Sequence, residues 1–357
     1  MNITQGDIAT FLKQLIPLYI PHDYDIDQDY LTGTNEKELR ESITIFRDYL
    51  YNLCDCIIKD NELSSTPKKG KFKFYDETTL SVEYPFINNV RSTLINIGFS
   101  GELENDNTAI VIDNWDLLSI KRSLNKNSTT KISTAQMLKT LQFLETTGFA
   151  FEGIDLNVKR LDLSSVDSIK ITYPSNHLLL LALKTMGIAQ MERSNRNNDD
   201  ILLRCDYRAL SSNPSVIKDV LSDYTYGLSD ALKDTVRSLH DGFIKLGMTI
   251  DVEQRMMNYH FIYSYKRKRI CRFSVSAHLG YRFVVKPTKT DKYQDFIETL
   301  PNILKTPILK GYGCNKKSGT GHGNCENGCA GICFNLDEKM ADKTEHIISW
   351  ISKELNS

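Results

Sequence analysis

Four cysteines, Cys314, Cys325, Cys329 and Cys333, fall within twenty residues of one another in a chain of 357, with His322 among them. Thiolate sulfur and imidazole nitrogen are the ligands that zinc and iron–sulfur centres take. Seven glycines between Gly311 and Gly331 leave the backbone free to wrap a small centre. The stretch has almost no apolar side chains to fold around, so a bound ion would have to supply the folding energy. Residues 311–334 therefore read as a metal-binding loop, with zinc as the expected ion and an iron–sulfur cluster as the alternative. The spacing, C-x10-C-x3-C-x3-C, differs from the paired CxxC of zinc ribbons and from ferredoxin runs. It favours a closed structural site. A catalytic site with three cysteines and a water would leave Glu326 as the nearest acid.

The second group is basic. Between Gln254 and Cys325 stand fourteen Lys or Arg against three acids, a surplus of eleven. The whole chain totals −1, so the remainder carries −12. A near-neutral average thus hides a basic C-terminal region on an acidic body. Arg255, Lys266, Arg267, Lys268, Arg269, Arg272 and Arg282 share one stretch rich in aromatic residues, and Lys316 and Lys317 lie in the cysteine loop. Cations interleaved with aromatics suit a nucleic-acid backbone or another polyanion. The plainer alternative is a solvated hairpin tip that blocks edge-to-edge pairing.

No set of residues has the spacing of a known catalytic motif: there is no GxSxG, HExxH, phosphate-binding P-loop or kinase set. The chemistry points to a non-enzymatic binding or regulatory protein, and no catalytic residue is assigned. The rival reading is a small-molecule sensor or metal-dependent enzyme. Its pocket would be lined by Tyr263, Tyr265, Phe273 and His278, with the metal loop as a lid. Tyr259, Phe261, Tyr263 and Tyr265 alternate along one strand, however, which reads first as a core face.

These groups need elements to hold them. Helical spacing predicts helices over 5–16 and 36–59, and short strands follow near 71–75 and 79–84. Residues 81–98, SVEYPFINNVRSTLINIG, then recur as 170–187, KITYPSNHLLLLALKTMG. Tyr84-Pro85 and Gly98 match Tyr173-Pro174 and Gly187 with the same step from proline to glycine. Each copy reads as a strand ending in Tyr-Pro, a helix and a glycine closing it. A further strand is expected after each, at 108–113 and 200–206, and helices 36–59 and 134–147 precede the two copies. The polar stretch 124–131 reads as the linker between them.

From residue 227 a helix over 230–246 leads into an antiparallel meander, with Lys266–Arg269 as the tip of its first hairpin. A helix over 293–304, the cysteine loop and a final amphipathic helix complete the chain. The expected class is α+β: two tandem duplicated α/β units, 1–126 and 127–226, then an antiparallel-sheet domain, 227–357, with the Cys-rich metal loop. The first 21 residues lack the pattern of a signal peptide, and the longest apolar run, Leu178–Leu183, is too short to span a bilayer. The expectation is a cytoplasmic protein with reduced thiols and no membrane partner, in which Cys54, Cys56, Cys205 and Cys271 are buried free thiols. A protein partner for the acidic units is compatible with this arrangement.

Overall fold

The computed structural model describes residues 4–31, 33–60, 72–73, 79–80, 86–104, 106–119, 121–125, 128–162, 166–193, 200–213, 220–225, 227–255, 258–276, 280–311 and 331–357. Helices and antiparallel sheets are both abundant, so the fold is mixed α+β. Among the described residues no helix is long and apolar enough to cross a membrane. Contacts divide the chain into two units. The first is Met1–Gly70, Ser81–Val220 and Gln254–Met257; the second is Lys71–Leu80, Leu221–Glu253 and Asn258–Ser357.

The first unit opens with a capping box. The Thr4 hydroxyl accepts from the Asp7 N–H at 3.0 Å, and the Asp7 carboxylate accepts from the Thr4 N–H at 2.9 Å. This starts α1 (Gln5–Leu15), and Asn35 caps α2 (Glu36–Lys59). Leu39, Ile43, Phe46, Leu50, Leu53 and Ile57 form the buried stripe of α2 that the spacing predicted. A two-stranded pair, β1 (Phe72–Lys73) and β2 (Thr79–Leu80), follows and groups with the second unit. The first unit resumes with α3 (Phe86–Ser100), β3 (Glu102–Leu103), β4 (Ala109–Asp113) and α4 (Asn114–Leu118). Then come β5 (Lys121–Asn125), β6 (Ser128–Lys131), α5 (Thr134–Thr146), β7 (Ala150–Glu152), β8 (Ser168–Thr172) and α6 (Leu178–Arg193). The strands β3, β4, β8 and β7 form one antiparallel sheet in that order. Ile110 faces Ile171 and Ile112 faces Ile169, and all four are buried.

Three expectations change here. Gly98 and Gly187 lie inside α3 and α6 rather than closing them, and the two helices pack where these glycines meet. A Cβ on Gly98 would stand 2.2 Å from the Leu183 carbonyl oxygen, and one on Gly187 would stand 2.7 Å from the Gly98 carbonyl carbon. Stretch 124–131 is mostly the β5–β6 hairpin rather than a linker. Residues 200–206 form buried turns, not a strand. Asp200 is buried, accepts from Arg91 Nε at 3.1 Å and from the Leu203 N–H at 3.3 Å, while Gln190 Oε1 takes the Ile201 and Leu202 N–H groups. Backbone donors satisfied by side chains leave nothing for a neighbouring strand.

The second unit carries α7 (Val220–Thr225), α8 (Asp230–Lys245) and a five-stranded antiparallel sheet. Its strands are β9 (Thr249–Arg255), β10 (Asn258–Tyr265), β11 (Lys268–Ser276), β12 (Gly280–Val285) and β13 (Ile332–Asn335). One sheet face is aromatic. Phe243 of α8 packs on Tyr263, Phe273 and Phe283 with ring centroids 5.0–6.2 Å apart, and Tyr224 of α7 contacts Tyr259, Phe261, Phe273 and Tyr281. The helix expected over 293–304 is two, α9 (Gln294–Glu298) and α10 (Asn302–Gly311), because Pro301 cannot continue the first. The final helix, α11 (Thr344–Asn356), sets Trp350 edge-on to Phe334 of β13 and Ile348 against Gly242 of α8.

Candidate functional site

The hairpin joining β10 to β11 turns at Lys266 and Arg267, both with left-handed φ, 47° and 66°. Two such residues make the turn whose twist matches the flanking strands. All four residues from Lys266 to Arg269 are exposed, and the Lys266 ammonium lies 5.1 Å from the Tyr265 ring centre.

Just below the turn the pairing slips. Tyr263 faces Cys271, but Ser264 faces Arg269, so Ile270 is an extra residue in β11. Strict alternation from Phe273 through Cys271 would send Arg269 to the helix-covered face. The bulge instead lets Arg269, Ile270 and Arg272 share the outer face. Arg269, Arg272 and Lys286 there rim a hollow of about 30 Å³, with Ile262, Ile270 and Val284 as its apolar lining. The register explains the grouping: Ile262, Arg272, Val284 and Cys333 form one row across four strands, and Lys286 donates its N–H to the Ile270 carbonyl at 2.8 Å. Arg269 Nη2 also donates to Glu253 Oε1 at 3.2 Å. One row further along, Arg282 stands opposite Ser274 and Asn335. The arrangement can receive an anion and offer apolar contact beside it.

The expected basic residues are thus partly gathered: Lys266 and Arg267 form the β10–β11 turn, Lys268, Arg269 and Arg272 lie on β11, and Arg282 lies on the neighbouring β12. Arg255 ends β9, and its side chain lies outside the described residues, as do Lys316 and Lys317. The expected aromatic pocket does not form. Tyr263 and Phe273 are buried on the helix-covered face against Phe243, with the Tyr263 hydroxyl 2.9 Å from His240 Nδ1. Tyr265 lies at the hairpin end beside Lys266, and His278 lies outside the described residues. Lys286, Ile262, Ile270, Val284 and Glu253 were not singled out by sequence. Lys286 alone had a readable signal, since it continues the period-two series of Arg282 and Val284.

Of the expected metal ligands, Cys314, His322, Cys325 and Cys329 lie outside the described residues. Cys333 is half-buried on β13, a strand rather than the coiled loop expected, with its thiol 3.9 Å from the Gly331 carbonyl oxygen. Among the described residues no three His, Cys, Asp or Glu side chains are grouped to hold a metal. Burial pushes the Cys54 thiol up to about 12 and raises Cys205 and Cys271 as well. These thiols stay protonated and unreactive at neutral pH. Compared with protein-family models, curated proteins and solved structures, the chain matches none.

Proposed function

We propose that the protein is a non-enzymatic binding protein whose second unit holds nucleic acid, or another polyanion, through the β10–β11 hairpin and the outer face of the sheet. The observation that carries this reading is the exposed Lys266–Arg269 tip leading into a hollow rimmed by Arg269, Arg272 and Lys286. Cations on a protein surface displace the counterions condensed on a nucleic acid, and the gain is entropic and salt-dependent. The three acids against fourteen cations between Gln254 and Cys325 leave little to oppose an approaching phosphate chain.

In this reading the cysteine loop binds a structural zinc that braces the chain between α10 and β13. The acidic first unit is the body that would meet a protein partner. Its α3 and α6 stretches are related copies, a view supported by the equivalent glycines Gly98 and Gly187 meeting at one crossing. The setting is cytoplasmic, where the thiols remain reduced.

Fluorescence anisotropy with labelled single- and double-stranded oligonucleotides tests the binding. Affinity should fall steeply between about 50 and about 200 mM salt, with a slope near −0.9 per phosphate contact on duplex. Reversing Lys266, Arg267 and Lys268 to Glu should weaken binding at least about tenfold and flatten that slope by roughly one per lost contact. Binding insensitive to both salt and charge reversal would sink the proposal.

A further inference from the structure

Trp115 in the first unit is the most exposed large apolar side chain of the described residues, at 72%. A tryptophan has much apolar area to bury, and a ring left in water forgoes that gain. Its backbone is fixed from several sides. Asp113 caps α4 by accepting from the Trp115 N–H at 2.7 Å, and Asn96 of α3 donates from Nδ2 to the Asp116 carbonyl at 2.6 Å. The Asn114 N–H donates to the Asp167 carbonyl at 3.1 Å, and its side-chain amide donates to the Val166 carbonyl. Leu117, two residues on and so across the helix, is buried. Among the described residues no ring stacks on the indole and no cation lies over it.

The charges beside the ring say what would cover it. Asp116 follows Trp115 in the chain, Asp113 is bonded to its N–H, and Asp167 is bonded to the neighbouring Asn114. Asp113 and Asp167 are exposed and Asp116 is half-buried. None of these three carboxylates has an ion-pair partner among the described residues. Lys121 and Arg122 follow on β5, yet the chain outside 254–325 carries −12. Phe99, exposed one turn beyond Asn96 on α3, adds apolar area, while the Lys184 ammonium near it donates to the Phe99 and Gly101 carbonyls at 3.0 and 2.7 Å. A nucleic acid or an anionic lipid surface would be repelled by this turn. A second copy reaching it through its basic hairpin would make an unlike contact, which closes into rings or runs on into filaments. A cationic side chain meets both demands. The face of tryptophan is the best side-chain partner for a cation, and a guanidinium can stack flat while donating to carboxylates.

We propose that Trp115 anchors a docking surface for a basic, arginine-bearing segment of a protein partner. An arginine of that segment lies over the indole and donates to the neighbouring carboxylates, and Phe99 takes apolar contact beside it. Tryptophan and arginine are the residues that dominate such interfaces. The inference rests on the reading that the acidic first unit meets a protein partner, and deepens it by naming the surface and the chemistry it recognises.

The test uses the full chain and a short labelled peptide rich in arginine, beside the same peptide with citrulline for arginine, which keeps the shape and removes the charge. The chain has two tryptophans, and Trp350 is buried against Phe334, so accessible tryptophan emission reports Trp115. The arginine peptide should shield Trp115 from acrylamide quenching, and the citrulline peptide should bind about tenfold more weakly. By anisotropy of the labelled peptide, Trp115→Ala should also bind about tenfold more weakly, with Trp115→Phe between it and the parent. Asp116→Asn with Asp167→Asn should weaken binding and reduce its salt dependence, with the Asp113 cap left intact. Melting curves should place Trp115→Ala with the parent, since the ring it removes is exposed. Trp115→Ala should bind oligonucleotides as the parent does, which separates this surface from the hairpin. Peptide binding indifferent to Trp115→Ala would refute the surface and leave the acidic unit as a partner-binding body. No binding at millimolar peptide would overturn both. Self-association abolished by Trp115→Ala would overturn the proposal in favour of a second copy of the chain.

Discussion

Glu354 is a buried carboxylate on α11 whose donors all come from one segment some sixty residues earlier in the chain. It accepts from the Thr288 N–H at 2.7 Å, the Thr288 hydroxyl at 3.0 Å, the Lys289 N–H at 3.3 Å and the Tyr293 hydroxyl at 2.5 Å. The Tyr293 oxygen in turn accepts from the Trp350 indole N–H at 3.3 Å. Burial, and the carboxylate beside it, raise the Tyr293 pKa above its ordinary value, so the phenol remains a donor. Removing the carboxylate strands the buried Tyr293 hydroxyl, while the donors of exposed Thr288 and half-buried Lys289 can turn to water. Glu354→Ala should cost about 1–3 kcal/mol, the range for a buried donor left unsatisfied, and Glu354→Gln should fall between it and the parent. Urea midpoints of the three proteins decide this, and a loss under about 1 kcal/mol for the alanine variant would contradict the network. Sequence gave no hint of it. A glutamate near the end of an amphipathic helix reads as solvated until its distant partners are known.

Two helices, α3 and α6, are organised by what they lack. Alanine is a better helix former than glycine by about 0.8–1 kcal/mol, so isolated helices would gain from Gly98→Ala or Gly187→Ala. In the folded unit a Cβ at Gly98 meets backbone at 2.2 Å and one at Gly187 meets backbone at 2.7 Å. Backbone cannot swing aside as a side-chain end can. Both substitutions should therefore destabilise by roughly 1–3 kcal/mol, the cost of overpacking, with Gly98→Ala the worse. Thermal and urea unfolding of the two variants measure it; a gain in stability for either would mean that the helices can separate freely. The existence of both helices and the equal spacing of their glycines were legible in the sequence. Their meeting was not, because a glycine near a helix end has a local explanation that comes to hand first. The same limit appears at 200–206, where the match to the first copy suggested a strand but the side chains of Arg91 and Gln190 supply its partners. Over 293–304, by contrast, Pro301 was in plain view and outweighs the apolar periodicity.

For the molecule as a whole, charge and cysteine placement set the expectations. The class, the meander and the basic hairpin tip follow from period-two patterning and from the run of Lys and Arg, which are local signals. The proposed zinc is a different matter, since only Cys333 among its ligands is described, and it stands on an edge strand opposite Val284. If the loop holds a structural zinc, freshly purified protein should contain about one zinc per chain, as expected for a closed four-ligand site. Prolonged chelation should then lower the melting temperature, and Cys325→Ser should reproduce the loss. Metal-free protein with a melting curve indifferent to chelator would exclude a structural ion. A brown protein containing iron would redirect the reading to a cluster.

Ile270 is a residue of β11 that the partner strand does not count. Tyr263 faces Cys271 and Ser264 faces Arg269, so a chain without Ile270 would place Arg269 directly before Cys271, opposite the same serine and on the same outer face. The bulge therefore absorbs a change in length without moving the arginines from one face to the other. Relatives in which Arg269 and Arg272 are two positions apart and relatives in which they are three apart could present the same surface. Comparing them by fixed spacing would overlook that equivalence, and aligning them by cross-strand partner would reveal it.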